Sequence, residues 1–204
     1  MKRELLFVDD KPRDLPSAEY QALLAELYGL TTVLADPSNP IESALQFVRD
    51  RPAIGAVLSD SCGRHDYSHI TQLKRLRGDL LVGVLSGNTS DEKKRLALAA
   101  GADDYLAKGT PLKSQESFFS KAADDFFMAD RRYWAELPKL LQDSQKAGRW
   151  VAYTRDGLFA EGDDDVSLVE QCAARFKPGQ FVVGQVIPPF HTVDLNDRWV
   201  VHER

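Results

Sequence analysis

No apolar run in this chain approaches the roughly 20 residues that a membrane-spanning helix needs. The N-terminal stretch Leu5-Leu6-Phe7-Val8 is also too short for the apolar core of a signal peptide, so a cytoplasmic protein with no membrane partner is expected. Cysteine is scarce. Cys62 and Cys172 lie far apart and form no CxxC pair, which excludes a disulfide framework and suits a reducing compartment. An excess of positive charge is missing too. The formal charge of -5 argues against nucleic acid as a partner, and the basic runs Lys74-Arg75 with Arg77, Lys93-Lys94-Arg95 and Arg131-Arg132 read as solvated helix faces. No internal repeat or low-complexity tract is visible. At 204 residues there is room for one generous domain, or one ordinary domain and a small one.

Five short apolar runs occupy the first half, and four of them end in a distinctive polar residue. Leu5 to Val8 runs into Asp9-Asp10, and Ile54 to Ser59 into Asp60. Leu80 to Leu85 ends at Ser86, and Asp104 to Ala107 at Lys108; the remaining run, Leu30 to Ala35, ends in Asp36-Pro37. If these runs are parallel strands, their C-terminal ends share one sheet edge, where open α/β sheets place their sites. Three carboxylates (Asp9, Asp10, Asp60), a hydroxyl (Ser86) and an ammonium (Lys108) would converge there. Such a set suits a divalent cation and a phosphoryl group.

Segments of helical period separate the runs. Leu23, Leu24 and Leu27 mark a first helix that Gly29 can end, and Ser38-Asn39-Pro40 opens a second with Ile41, Ala44, Leu45 and Val48 as its buried stripe. Ile70, Leu73 and Leu76 mark a short third. Ser90 caps a fourth, with Leu96, Ala99 and Ala100 expected inward, and a fifth begins near Leu112 to Ser114. Five βα units in a row imply a doubly wound α/β domain over residues 1–127. The fifth helix carries Phe118, Phe119, Ala122, Ala123, Phe126 and Phe127. Tyr133, Trp134, Leu137, Leu140 and Leu141 prolong its stripe as a helical extension over 128–148, with a kink or restart expected at Pro138. Packing within the chain is the preferred use of this stripe, and dimerisation or signalling the alternative.

Residues 149–204 change pattern. Arg149 to Thr154 reads as a strand, Arg155-Asp156-Gly157 as a hairpin turn, and Gly157 to Glu161 as a second strand. A helix from Asp163–Asp165 to Phe176 follows, with Val166, Leu168, Val169 and Cys172 apolar, then a strand from Gln180 to Ile187. The result is a small α+β module of ββαβ order with a loop-like tail from Pro188-Pro189.

Phe7-Val8-Asp9-Asp10-Lys11-Pro12, Asp60, Ser86 and Gly101-Ala102-Asp103-Asp104-Tyr105-Leu106-Ala107-Lys108, in this order and on matching strands, resemble the receiver domain of two-component response regulators. The resemblance covers residues 1 to about 127 and implies a flavodoxin-like five-stranded sheet of order 2-1-3-4-5. It also implies roles. Asp9, Asp10, Asp60 and the main-chain carbonyl of Cys62 would hold Mg²⁺, Asp60 would accept the phosphoryl group, Ser86 and Lys108 would hold its oxygens, and Tyr105 would occupy the aromatic switch position. A histidine kinase or phosphotransfer protein would be the donor. Residues 149–204 show neither two recognition-type helices nor a basic stripe, so output is expected to pass to a downstream protein partner, or through a homodimer, rather than to DNA. No enzymatic activity beyond phosphorylation and dephosphorylation of Asp60 is implied.

Three features depart from the family pattern: Ser61-Cys62-Gly63 follows Asp60 where receivers carry a methionine-proline pair, Gly109 follows Lys108 where a proline is usual, and the segment between Asp60 and Ser86 is shorter than usual, which suggests a trimmed third helix. They favour the alternative of a receiver-shaped adapter that binds a protein without phosphate. A haloacid-dehalogenase-type phosphatase ranks last, because Asp9-Asp10-Lys11 is not Asp-x-Asp. Cys62, His65 and His69 lack a clear fourth ligand for zinc. Asp163-Asp164-Asp165 lacks EF-hand spacing, and Cys172 reads as core. His191 and His202 have no visible partners. The C-terminal part faintly resembles a small bacterial module of unknown function.

Overall fold

The computed structural model describes residues 3–63 and 66–188. His65, His191, His202 and the tail beyond Pro188 therefore lie outside the described residues. Among the described residues, eight strands, β1 (Glu4–Val8), β2 (Thr31–Leu34), β3 (Ile54–Ser59), β4 (Leu81–Ser86), β5 (Asp104–Ala107), β6 (Trp150–Thr154), β7 (Gly157–Gly162) and β8 (Phe181–Gln185), form two sheets. Seven helices accompany them: α1 (Ala18–Tyr28), α2 (Pro40–Asp50), α3 (Ser68–Leu76), α4 (Asp91–Ala99), α5 (Glu116–Ala123), α6 (Asp125–Leu140) and α7 (Asp165–Ala173). No helix among the described residues is long and apolar enough to cross a membrane.

The first sheet is parallel with order β2-β1-β3-β4-β5, as the alternation of strands and helices requires. Side chains alternate across each strand, so consecutive apolar residues feed two cores. Leu6, Val8, Val57, Val82 and Val84 pack with Ala44 and Val48 of α2, Ile70 and Leu73 of α3 and Ala97 of α4. Leu5, Phe7, Ala56, Leu58 and Leu81 pack on the other face with Leu24 of α1 and Phe118, Phe119 and Ala122 of α5. Gly83 lies midway along β4. A Cβ there would stand 2.7 Å from Leu58 and 2.8 Å from Phe118, so only glycine lets α5 approach this closely.

Several helix faces differ from the sequence expectation. Leu23 and Leu27 are exposed and Leu24 alone of the three is buried, because α1 covers an edge of the sheet with a narrow stripe. In α4 the inward residue is Ala97; Leu96 and Ala99 face solvent, a one-residue rotation that the apolar run Leu96 to Ala100 could not specify. Asn39 makes no side-chain cap on α2, whereas Ser17, Ser90 and Asp164 do cap α1, α4 and α7.

The long fifth helix is interrupted, and at a different place from Pro138. The chain makes a 3₁₀ turn over Leu112–Gln115, runs through α5, and breaks at Asp124. The Asp124 carboxylate accepts hydrogen bonds from the backbone N–H groups of Phe126 and Phe127 and so restarts the chain as α6. Pro138 sits in the last turn of α6, where it forfeits one hydrogen bond without ending the helix at Leu137. Phe126, expected in the stripe, is half exposed.

The second sheet is antiparallel with order β7-β6-β8. Val151 and Tyr153 of the central strand face α6, packing with Tyr133, Leu137 and Leu140. Ala152 faces the other way, onto Leu168 and Cys172 of α7; Val166 and Val169 are exposed. The stripe of α6 is thus used within the chain, as the preferred reading had it. α6 spans residue 127 and packs against β6, β7 and β8, which makes it the shared wall between the two sheets.

Candidate phosphoryl-acceptor site

Register alone brings the site together. Val8 of β1 lies beside Ser59 of β3, so the residues that follow, Asp9-Asp10 and Asp60, emerge side by side, and the Asp60 N–H donates to the Val8 carbonyl at 2.8 Å. Ser86 of β4 pairs with Ala107 of β5, and the Lys108 N–H donates to the Ser86 carbonyl at 2.8 Å. A carboxylate oxygen from each of Asp9, Asp10 and Asp60 lies within 4.8 Å of the others. Asp9 and Asp60 are buried, and Asp10 is exposed.

The Lys108 ammonium spans the acids. It donates to Asp9 at 2.5 Å and to Asp14 at 3.1 Å, and stands 3.4 Å from Asp60. Burial opposes its charge, yet the hydrogen bonds it donates to Asp9 and Asp14 and the field of Asp60 outweigh that and hold its pKa above the ordinary lysine range. Burial, together with the nearby Asp60, raises the Asp9 pKa beyond what Lys108 offsets. The site holds more carboxylates than cations, with Asp9, Asp10, Asp14 and Asp60 around one lysine. Three hard oxygen donors in surplus negative charge fit a small divalent cation such as Mg²⁺.

The loop after β3 supports Asp60. Its Oδ2 accepts from the Cys62 N–H at 3.2 Å and from the Ser61 hydroxyl at 3.4 Å. Cys62 adopts φ 47°, a left-handed turn that folds this loop back over the acids. Its thiol pKa is pushed up to about 12, by burial first and then by Asp60, Asp10 and Asp9, which favours the protonated thiol. Behind the site the Ser59 hydroxyl donates to the Asp60 carbonyl at 2.9 Å and lies 3.1 Å from Nε2 of the buried His69. The Ser86 hydroxyl accepts from the Asn88 N–H at 3.1 Å. Beside the acids opens a cavity of about 410 Å³, whose lining includes Phe7, Asp14, Tyr20, Leu85, Lys108 and Gln115.

Asp9, Asp10, Asp60, Ser86 and Lys108 are thus brought to one edge. Tyr105 lies apart on β5, partly exposed, with its hydroxyl donating to the Asn88 carbonyl at 2.5 Å. Two residues escaped sequence reasoning. Asp14, at the end of a 3₁₀ turn over Pro12–Asp14, becomes a second anchor for Lys108, and the only signal for it was the turn-forming Lys11-Pro12. Tyr67 is 1% exposed among Leu6, Val8 and Ile70, and its hydroxyl stands 3.5 Å from that of Tyr105. A tyrosine in a polar loop gives no sequence sign of turning into the core.

No family model matches the sequence, and no curated protein matches it. Solved structures do. A response regulator from Thermotoga maritima is 20% identical with a TM-score of 0.51, over 60% of this chain and 98% of that one. A response regulator receiver domain protein from Clostridium thermocellum (20% identical, TM-score 0.48) covers 59% of this chain and 93% of its own. A response regulator receiver protein from Pseudomonas putida (24% identical, TM-score 0.47) covers 59% and 98%. The N-terminal three-fifths of the chain has the fold of a response-regulator receiver domain.

Proposed function

We propose that the chain is a phosphorylation switch in which Asp60 accepts a phosphoryl group from a histidine kinase or phosphotransfer protein. The observation that carries this reading is the meeting of Asp9, Asp10 and Asp60 under the Lys108 ammonium at the C-terminal edge of a parallel sheet. An Asp60 carboxylate oxygen attacks the phosphorus of a phosphohistidine, an O–P bond forms as the N–P bond breaks, and the electron pair of that bond leaves with the imidazole. Lys108 and the Ser86 hydroxyl hold the phosphoryl oxygens. Asp9, Asp10, Asp60 and the Cys62 main-chain carbonyl would hold Mg²⁺, which would neutralise charge on the transferring group. Output passes through protein contacts, a reading supported by the lack of a recognition-helix pair among the described residues.

The test is Mg²⁺-dependent transfer from a small phosphodonor to wild-type protein and to Asp60→Asn. Label on wild type alone supports the switch; equal label on both refutes Asp60 as acceptor. A second reading, a phosphate-independent adapter, is favoured by one observation: Asp9 and Asp14 already engage the Lys108 ammonium that should meet the phosphate.

A further inference from the structure

We infer that the chain carries a second site, remote from Asp60, that binds a small multiply phosphorylated anion. At the opposite edge of the first sheet, a cavity of about 440 Å³ opens between the C-terminal turns of α2 and α3 and the outer face of α6. Its lining holds six cationic side chains, Arg49, Lys74, Arg75, Arg77, Arg132 and Lys139, against two carboxylates, Asp79 and Glu136. Val48, Pro52, Leu76 and Ala135 add apolar contact. The size matches a small-molecule site, and the position between the receiver helices and the helix shared with the second sheet is where such sites tend to lie.

The two carboxylates are already engaged. Arg77 (2.6 Å) and Arg132 (3.3 Å) both pair with Asp79, and Glu136 accepts from the Tyr153 hydroxyl at 2.8 Å. One Asp79 charge between two guanidiniums leaves the inner wall positive. Lys74 turns away to Asp103 at 2.6 Å. Arg49, Arg75 and Lys139 stand exposed at the rim and make no ion pair among the described residues. Cations in the last turns of helices offset the partial negative charge of the terminal carbonyls, which places Arg49, Lys74, Arg75 and Lys139 around this cavity. Arg77 and Arg132 also donate to the Pro52, Ile54 and Asp156 carbonyls, so the donors left for a ligand are those of Arg49, Arg75 and Lys139 at the rim. In a chain of net charge -5, three exposed cations without an ion pair around one cavity make a local positive field that attracts an anion. Guanidiniums favour phosphate oxygens through paired hydrogen bonds, and the absence of any aromatic side chain in the lining points to the phosphates rather than a base as the recognised part.

The test is calorimetric titration of the full chain with inorganic pyrophosphate in Mg²⁺-free buffer. One saturable site is expected, weakened about tenfold or more in Arg75→Glu/Lys139→Glu and kept in Lys108→Ala. The substituted pair is exposed, so folding is checked by circular dichroism, and Arg49→Glu supplies an independent weakening. Absence of saturation, equal affinity in the charge-reversed variant, or loss of binding in Lys108→Ala would overturn the site. Binding of duplex DNA without pyrophosphate binding would also overturn it, in favour of a nucleic-acid surface.

Discussion

Asp125, the first residue of α6, and Arg155, in the turn between β6 and β7, are each only 5% exposed and form an ion pair at 2.7 Å. Arg3, just before β1, adds hydrogen bonds at 2.8 and 3.1 Å to the same carboxylate, and Gln180, just before β8, adds another at 3.1 Å. Arg155 also donates to the Ala122 carbonyl at the end of α5. One buried carboxylate therefore ties the first strand of the receiver sheet to one end of the second sheet, where the β6–β7 turn lies beside the start of β8.

Removing it should be expensive. Asp125→Ala leaves Arg155 buried without its counter-charge and should cost roughly 3–5 kcal/mol in urea unfolding. Because the bond joins the two sheets, wild type should unfold in one transition by both tyrosine and far-ultraviolet signals. Two separated transitions would show the sheets to be independent.

The same carboxylate sets an acid limit. Burial alone would raise its pKa, but the hydrogen bonds from Arg3, Arg155 and Gln180 outweigh burial and bring it from 3.8 to about 2. A depressed folded pKa means the stabilisation is complete above pH of about 4 and is lost as pH falls through about 2. The contribution is on the order of 2 kcal/mol. Asp125→Asn should flatten stability against pH across that window; an unchanged slope would assign acid sensitivity to other groups.

Packing against β4 gives a steric test. Gly83→Ala should destabilise by roughly 1–3 kcal/mol, because its Cβ meets Leu58 and Phe118 inside contact distance. Gly87→Ala, whose Cβ meets nothing within 4 Å, should stay within about 0.5 kcal/mol of wild type. Thermal unfolding of the two variants distinguishes local overpacking from a general intolerance of alanine.

At the acidic edge, Lys108→Ala removes the cation that competes with a metal. Mg²⁺ affinity by calorimetry should be unchanged or tighter, while phosphoryl transfer from a small donor should fall by about tenfold or more. Asp10→Ala should weaken Mg²⁺ binding instead. Loss of Mg²⁺ binding in Lys108→Ala would mean that the lysine builds the site rather than serving the phosphate.

Much of this is legible in the sequence. Strand ends mark the site because parallel register carries Asp9, Asp60, Ser86 and Lys108 to one edge whatever the loops do, and apolar runs are a strong signal for such strands. The ββαβ order was legible for the same reason, from the turn at Arg155-Asp156-Gly157 and the period around Leu168 and Cys172. Helix faces were less so. Leu96 and Ala97 are both apolar, and only the packing of α4 on the sheet selects Ala97. The break at Asp124 was masked by an unbroken aromatic stripe, although an aspartate before Phe126 is a capping signal. Asp14, Tyr67 and the Asp125–Arg155 pair were invisible because each depends on contacts between distant segments, which periodicity cannot report.

The central claim is that Asp60 accepts phosphate. Intact mass, followed by mapping of the modified residue, after incubation with Mg²⁺ and a small phosphodonor tests it most directly. A single phosphoryl adduct located at Asp60, absent from Asp60→Asn and absent without Mg²⁺, is the result expected. An unmodified wild-type protein that is folded and binds Mg²⁺, or an adduct that survives in Asp60→Asn, would contradict it.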